Sequence, residues 1–244
     1  WPATSLQFAL APEDEAEQTA ERMAADGIRQ PLLLAPASSV GERISGAFGQ
    51  RWQQLVGEGK QPMIASYGDR QGVQQAVAKA LGLGASQARI NQLQQVSGLE
   101  LEAELRSRRD IDAIYLYANA ADARFIKPSL ESALSSNASR PPLYLSASAH
   151  DLGKGNQELA GALVSDMPLL LPGNARERSA LQQHRTLWPQ RGVQEIRLFA
   201  LGHDALLLVP SFSYLSAFPG YEVRGLSGEL RAHDGVIHRN VEWA

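Results

Sequence analysis

The residues of this chain best suited to chemistry are four serines set just beyond short apolar runs, Ser38, Ser39, Ser146 and Ser148, and one acid, Asp204, inside an apolar helical pattern. Hydroxyls at strand ends can donate to a carboxylate or a sugar, helped by the free N–H groups of the helix that follows. Serines in the same places also cap helices and fill turns. Asp204 follows His203 within the apolar run Ile196–Phe212, where a carboxylate is costly to bury without a partner. It either faces a cleft or bonds a nearby backbone group. No serine carries the apparatus of a nucleophile. Gly225-Leu226-Ser227-Gly228 lacks the second spacer of the Gly-x-Ser-x-Gly elbow, and no lysine follows a serine by three positions.

Other chemistries are as poorly supplied. The five histidines, His150, His184, His203, His233 and His238, form no His-x-x-x-His pair, so a surface role is expected and no metal. Without cysteine there is no thiolate zinc site, disulfide or cysteine nucleophile. Gly82-Leu83-Gly84 lacks a third glycine and follows a helix, which excludes a dinucleotide loop. A net charge of −3 offers no electrostatic case for nucleic acid. Arg106-Ser107-Arg108-Arg109 reads either as a contact for an acidic partner or as a helix C-terminus offsetting the macrodipole. Asn137-Ala138-Ser139 matches a glycosylation sequon and marks an exposed loop. The expectation is no catalytic residue, no metal and no cofactor.

The elements that must position these residues alternate. Ser5–Leu10 reads as a strand, and Pro12 with Glu13, Asp14 and Glu15 as an acidic helix start. Leu32–Ala35, Pro62–Ser66, Asp112–Tyr117, Leu143–Ala147 and Ala162–Ser165 follow as strands. Between them lie helices, the clearest with Ile44, Ala47, Phe48, Trp52, Leu55 and Val56 on one stripe. A third helix, carrying Val73 and Val77, ends at Gly82 and Gly84. Ala85–Arg109 is helical but more polar, with Ile90, Leu93, Val96, Leu101 and Leu105 as candidate contacts, and Pro128 is expected to kink or restart the helix from Ala120. Residues 169–220 hold two helical stretches and no convincing strand. The run Ile196–Phe212 is too short and too polar to span a bilayer and reads as a buried helix. The tail alternates apolar and polar residues around glycines, as a hairpin does.

Strands alternating with helices give βαβ units and a mostly parallel sheet covered on both faces. Ligands of such sheets sit beyond the carboxyl ends of the strands, at the switch point in strand order. The expected site loops are therefore Pro36–Ser39, Ala118–Ala121 and Ser146–His150. At 244 residues, 44% hydrophobic and 20% charged, the chain can bury a sizeable core. The opening WPATSLQFAL is no signal peptide, and the chain reads as an excised or processed fragment.

FALAPEDEAEQTAERMAADG (8–27), PLLLAPASSVGERISGAFGQRW (31–52) and RRDIDAIYLYANAADARFIKPSL (108–130) resemble the penicillin-binding-protein activator lipoproteins of the LppC type. LYLSASAH (143–150), FALGHDALLL (199–208) and GLSGELRAHDGVIHRNVEWA (225–244) continue the likeness in order. The resemblance implies a type I periplasmic-binding-protein-like fold: α/β, doubly wound, two lobes, the first incomplete here. Residues 1–168 would be a hinge strand and the second lobe, 169–220 helices of the first lobe, and 221–244 a return crossing with a β-hairpin tail. It places Asp204 near the interlobe cleft. Many family members carry a cysteine where this tail reads Asp234-Gly235-Val236. The implied function is non-enzymatic: binding and activating a bifunctional class A penicillin-binding protein in peptidoglycan synthesis. The full-length lipoprotein would lie in the periplasm, attached to the outer membrane by a lipid anchor absent from this fragment. The competing reading is a periplasmic module binding an amino acid, sugar or peptidoglycan fragment in the cleft, through Ser38, Ser39, Tyr117, Ser146, Ser148 and Asp204. Arg106, Arg108 and Arg109 are the candidate partner contacts.

Overall fold

The structure, a computed structural model, describes residues 5–98, 106–134, 140–152, 154–171 and 173–244. In chain order its elements are β1 (Gln7–Phe8), α1 (Pro12–Ala25), β2 (Pro31–Pro36), α2 (Ser39–Val56), β3 (Met63–Tyr67), α3 (Arg70–Ala80) and α4 (Leu83–Ser97). Then come β4 (Ala113–Leu116), α5 (Ala120–Ala133), β5 (Leu143–Leu145), β6 (Leu163–Asp166), α6 (Ala175–Leu187), α7 (Val193–Leu208) and α8 (Phe212–Ala217). The chain closes with β7 (Glu222–Arg224), β8 (Glu229–His233), β9 (Val236–Asn240) and β10 (Glu242–Trp243).

The larger sheet has the order β10-β6-β5-β4-β2-β3, parallel throughout except for β10, which runs antiparallel to β6. Period-2 alternation sends successive residues of β2 to opposite faces. Leu33 and Ala35 meet Ala16, Ala20 and Met23 of α1 and Ile44, Phe48 and Trp52 of α2. Leu32 and Leu34 meet Val73 and Val77 of α3 and Ala123, Ile126 and Leu130 of α5. Burial on both faces is why the strand reads as a continuous apolar run. Each fully buried Leu or Phe here contributes about 1.5–3 kcal/mol.

The smaller sheet has the order β1-β9-β8-β7, with β1 parallel to β9 and the rest an antiparallel meander. Asp234 (φ +48°) and Gly235 (φ +78°) turn β8 into β9, the left-handed pair that a two-residue hairpin requires. Leu208 of α7 and Leu215 of α8 pack on Val223, Leu230 and Ile237 of this sheet. The chain passes between the sheets after β1, after β6 and after β9.

Several expectations are corrected. Gly82 does end α3, with φ +69°, but Gly84 lies inside α4. On α4, Leu93 and Val96 are exposed, so they are not core contacts; Leu101, Leu105 and the sequon lie outside the described residues. Leu55 also faces solvent, at the edge of the α2 stripe. Residues 106–109 are not helical, so Arg106-Ser107-Arg108-Arg109 is no helix C-terminus. Pro210 separates α7 from α8, because a proline supplies no N–H to continue a helix. The helix expected to be buried is buried on one face only: Ile196, Ala200 and Leu208 lie inward, whereas Leu198 and Leu206 are exposed. Among the described residues, no helix is long and apolar enough to cross a membrane.

Candidate functional site

The three expected loops follow β2, β4 and β5, as the strand pattern requires. Their serines do different things. Ser38 is the N-cap of α2, accepting a hydrogen bond from Gly41 N–H at 3.2 Å. Ser39, the first residue of that helix, is exposed beside it. A Cβ at Gly41 would strike the Pro36 carbonyl, so the helix starts tight against the strand end. Ser146 is fully buried and bridges to the backbone of Ala118, at 3.3 Å to its carbonyl and 3.4 Å from its N–H. It ties two loops together and has no face toward solvent.

Asp204 takes the second of the two alternatives. Its carboxylate is fully buried and accepts hydrogen bonds from Leu226 N–H (2.8 Å), Ser227 N–H (2.7 Å) and Ser227 Oγ–H (2.6 Å). His203 Nδ1 lies 2.9 Å from Oδ1, the oxygen that also accepts from Leu226 N–H. A Cβ at Gly225 would run into that carboxylate, so glycine is what admits the acid to the turn before β8. Asp204 clamps α7 to the smaller sheet and does not line the cavity described next.

That cavity, of about 200 Å³, sits beyond β5 and β6, against the first turn of α1 and the start of α7. Tyr117 and Ser148 line it; Ser38, Ser39, Ser146 and Asp204 do not. The Tyr117 hydroxyl is held up in pKa by burial and eased down by its hydrogen bond with Ser148. The remaining polar wall comes from residues the sequence reading did not single out as site residues: Glu15, Asp166, Gln194, Arg197 and Arg239. Glu15 Oε1 accepts from Ala147 N–H and Ser165 Oγ–H, both at 2.5 Å. Burial raises its carboxyl pKa, and these two bonds oppose the rise. Asp166 Oδ2 accepts from an Arg197 guanidinium N–H at 2.7 Å and lies 2.8 Å from His150 Nδ1, while its Oδ1 accepts from Met167 N–H at 2.8 Å. Arg197 also donates to the Ala147 carbonyl at 2.6 Å.

Arg108 pairs with Asp110 through both carboxylate oxygens, and Arg106 and Arg109 are exposed. Among the described residues, no cluster of histidines and acids could hold a metal ion.

The family model described as "LppC putative lipoprotein" matches residues 2–244. The chain belongs to the LppC lipoprotein family. A relative from Photobacterium profundum, named a penicillin-binding protein activator LpoA, is 39% identical over 242 residues, which is 98% of this chain and 39% of the relative. The chain thus spans about two fifths of that relative's length. Among solved structures, the LpoA C-domain from Haemophilus influenzae, described as a regulator of PBP1A, superposes with a TM-score of 0.67 at 26% identity, covering 96% of this chain and 64% of that one. An ABC transporter substrate-binding protein from Desulfitobacterium hafniense has a TM-score of 0.53 at 16% identity, covering 97% of this chain and 62% of that one. The latter likeness is one of fold alone. The fold is that of the periplasmic binding proteins. In this LppC chain the acids of the cleft are largely engaged by the protein's own donors, Asp166 by Arg197 and Glu15 by Ser165.

Proposed function

We propose that this chain is part of a non-enzymatic activator of peptidoglycan synthesis that binds a penicillin-binding protein of the bifunctional class A type and favours its active state. The observation that carries this reading is the 39% identity to a named penicillin-binding protein activator along nearly the whole chain. The cleft adds to it. Asp166 is paired with Arg197, and the one hydroxyl bonded to Glu15, that of Ser165, is fully buried, so the pair presents no accessible nucleophile, and an action through the outer surface fits better. The exposed Arg106 and Arg109 remain candidate contacts for an acidic face of the partner. The lipoprotein family and the binding-protein fold favour the periplasm, with a lipid anchor in the longer protein holding it to the outer membrane.

On the same reading, residues 1–168 form a hinge strand and a second lobe, 169–220 helices of a first lobe, and 221–244 a return crossing and hairpin. The outward face of α7 supports this, since Leu198 (61% exposed) and Leu206 (76% exposed) leave an apolar surface that the remainder of a lobe would cover. The test is the affinity of the purified chain, and of the longer protein, for class A synthases and for monofunctional penicillin-binding proteins of the same organism. Saturable binding to a class A synthase alone supports the proposal; binding only to monofunctional enzymes, or to none by either protein, overturns it.

A further inference from the structure

One cation of the cleft, Arg239, has no ion-pair partner among the described residues. Alternation along β9 puts Ile237 and Arg239 on the buried face of that strand, and Arg239 is only 5% exposed. Its Nε–H is buried without a hydrogen-bond partner, and among the described residues no carboxylate forms an ion pair with its guanidinium. Arg197, by contrast, is paired with Asp166 and donates to the Ala147 carbonyl. Glu15 feels the charge of Arg239 through space, yet its bonded oxygen is taken by Ala147 N–H and Ser165. A buried guanidinium with an unsatisfied N–H is costly unless a bound group completes it. Arg239 borders the 200 Å³ cavity described above.

We propose that this cavity is a binding site for a small monocarboxylate, its carboxylate paired with the Arg239 guanidinium and its polar substituent facing Tyr117, Ser148 and Gln194. The guanidinium fork matches the planar carboxylate in a way that it does not match a spherical ion. The carboxylates of Glu15 and Asp166 in the same wall disfavour a dianion such as sulfate. Leu10 and Met167 supply apolar contact for a short carbon chain. At ~30 Å³ per water, the space equals that of about seven waters, which limits the occupant to a few carbon atoms: a short hydroxy, amino or plain carboxylic acid. Such a ligand would touch the loop after β4, β9 and α7 together, tying the smaller sheet and α7 to the larger sheet.

The experiment is a titration of the isotopically labelled chain, followed at the Arg239 Nε–H resonance by NMR, with the affinities of the chain and of its variants measured by calorimetry. The probes are lactate, alanine and propionate, with propionamide and sodium sulfate as controls at matched ionic strength. The expected result is a saturable shift of that resonance with at least one of the three acids and none with propionamide. Arg239→Gln weakens binding by about tenfold or more, as loss of a charge-assisted pair requires, and Arg239→Lys restores part of it. Should Arg239→Gln fail to fold, Gln194→Leu at the exposed rim provides the second variant, with weakened binding expected. No saturable shift with any acid overturns the proposal. So does an equal shift with propionamide or sulfate, or undiminished binding in the variant that folds.

Discussion

Replacing Asp204 by Asn tests how α7 is held. The carboxylate receives two backbone N–H groups and one hydroxyl, at 2.6–2.8 Å, in a fully buried setting. Hydrogen bonds to a charged acceptor are worth about 1.5–3 kcal/mol each. Asn keeps one acceptor oxygen, enough for one backbone N–H. Its amide nitrogen then confronts the other N–H donor to donor, leaving that group buried and unsatisfied at a cost of about 1–3 kcal/mol. The Ser227 hydroxyl can rotate to accept from the new amide, which limits its loss. Neutralising a buried carboxylate also relieves a desolvation penalty, which works the other way. The net expectation is a destabilisation of about 2–3 kcal/mol, with a fall in Tm of about 2–4 °C per kcal/mol for a chain of this size. Urea denaturation followed by circular dichroism gives the free energy, and a double-mutant cycle with Ser227→Ala shows the coupling as a sub-additive loss. A loss below about 1 kcal/mol, or strict additivity with Ser227→Ala, refutes the argument that the acid acts as a clamp.

Two further predictions concern pH. The Glu15 carboxyl has a pKa raised by burial above its ordinary 4.5, so the fold favours its protonated form. Its contribution to stability is complete below that ordinary value and is lost as pH rises through the raised one. Glu15→Gln keeps an acceptor for Ala147 N–H and Ser165, so its Tm minus that of the unsubstituted chain should grow more positive as pH rises; parallel curves would sink this. His184 shows the opposite slope. Burial first, then the charges of Arg191 and Arg185, lower its pKa from 6.5, so the neutral ring is favoured beside Trp188 and Phe199. Stability from that ring is present above 6.5 and is lost as pH falls through the lowered value. His184→Phe should therefore flatten the acid limb of the Tm curve, and an unchanged limb would contradict the assignment.

The α/β pattern was legible because strand burial and helix faces are written in local periods. Leu32–Ala35 is apolar on both faces, and Ile44, Phe48 and Trp52 recur at helical spacing. The helix over 193–208 was legible as a helix, but its one-sided burial was not, since its outward leucines look the same in sequence as inward ones. Among the site serines, Tyr117's neighbour Ser148 reaches the cavity, whereas Ser38 serves as a cap and Ser146 as a buried bridge. What distinguishes them is which loop α1 and α7 approach, a tertiary fact. Glu15 looked like one of three acids complementing a helix dipole, yet it faces Ser165, 150 positions along the chain. Arg239 sits in a polar-apolar alternation that marks a strand and says nothing of a cleft. An interruption such as Arg197 within an apolar run was the one local signal available, and Asp204 drew the attention instead.

The central claim is that this chain belongs to an activator of a cell-wall synthase. Its most direct test is the rate of glycan polymerisation and cross-linking by a purified class A penicillin-binding protein of the same organism, on lipid-linked substrate. The rate is measured alone, with this chain, and with the longer lipoprotein. The account predicts a saturable acceleration by the longer protein, with this chain binding the synthase in competition with it. Unchanged rates with both proteins, together with no binding, would contradict it.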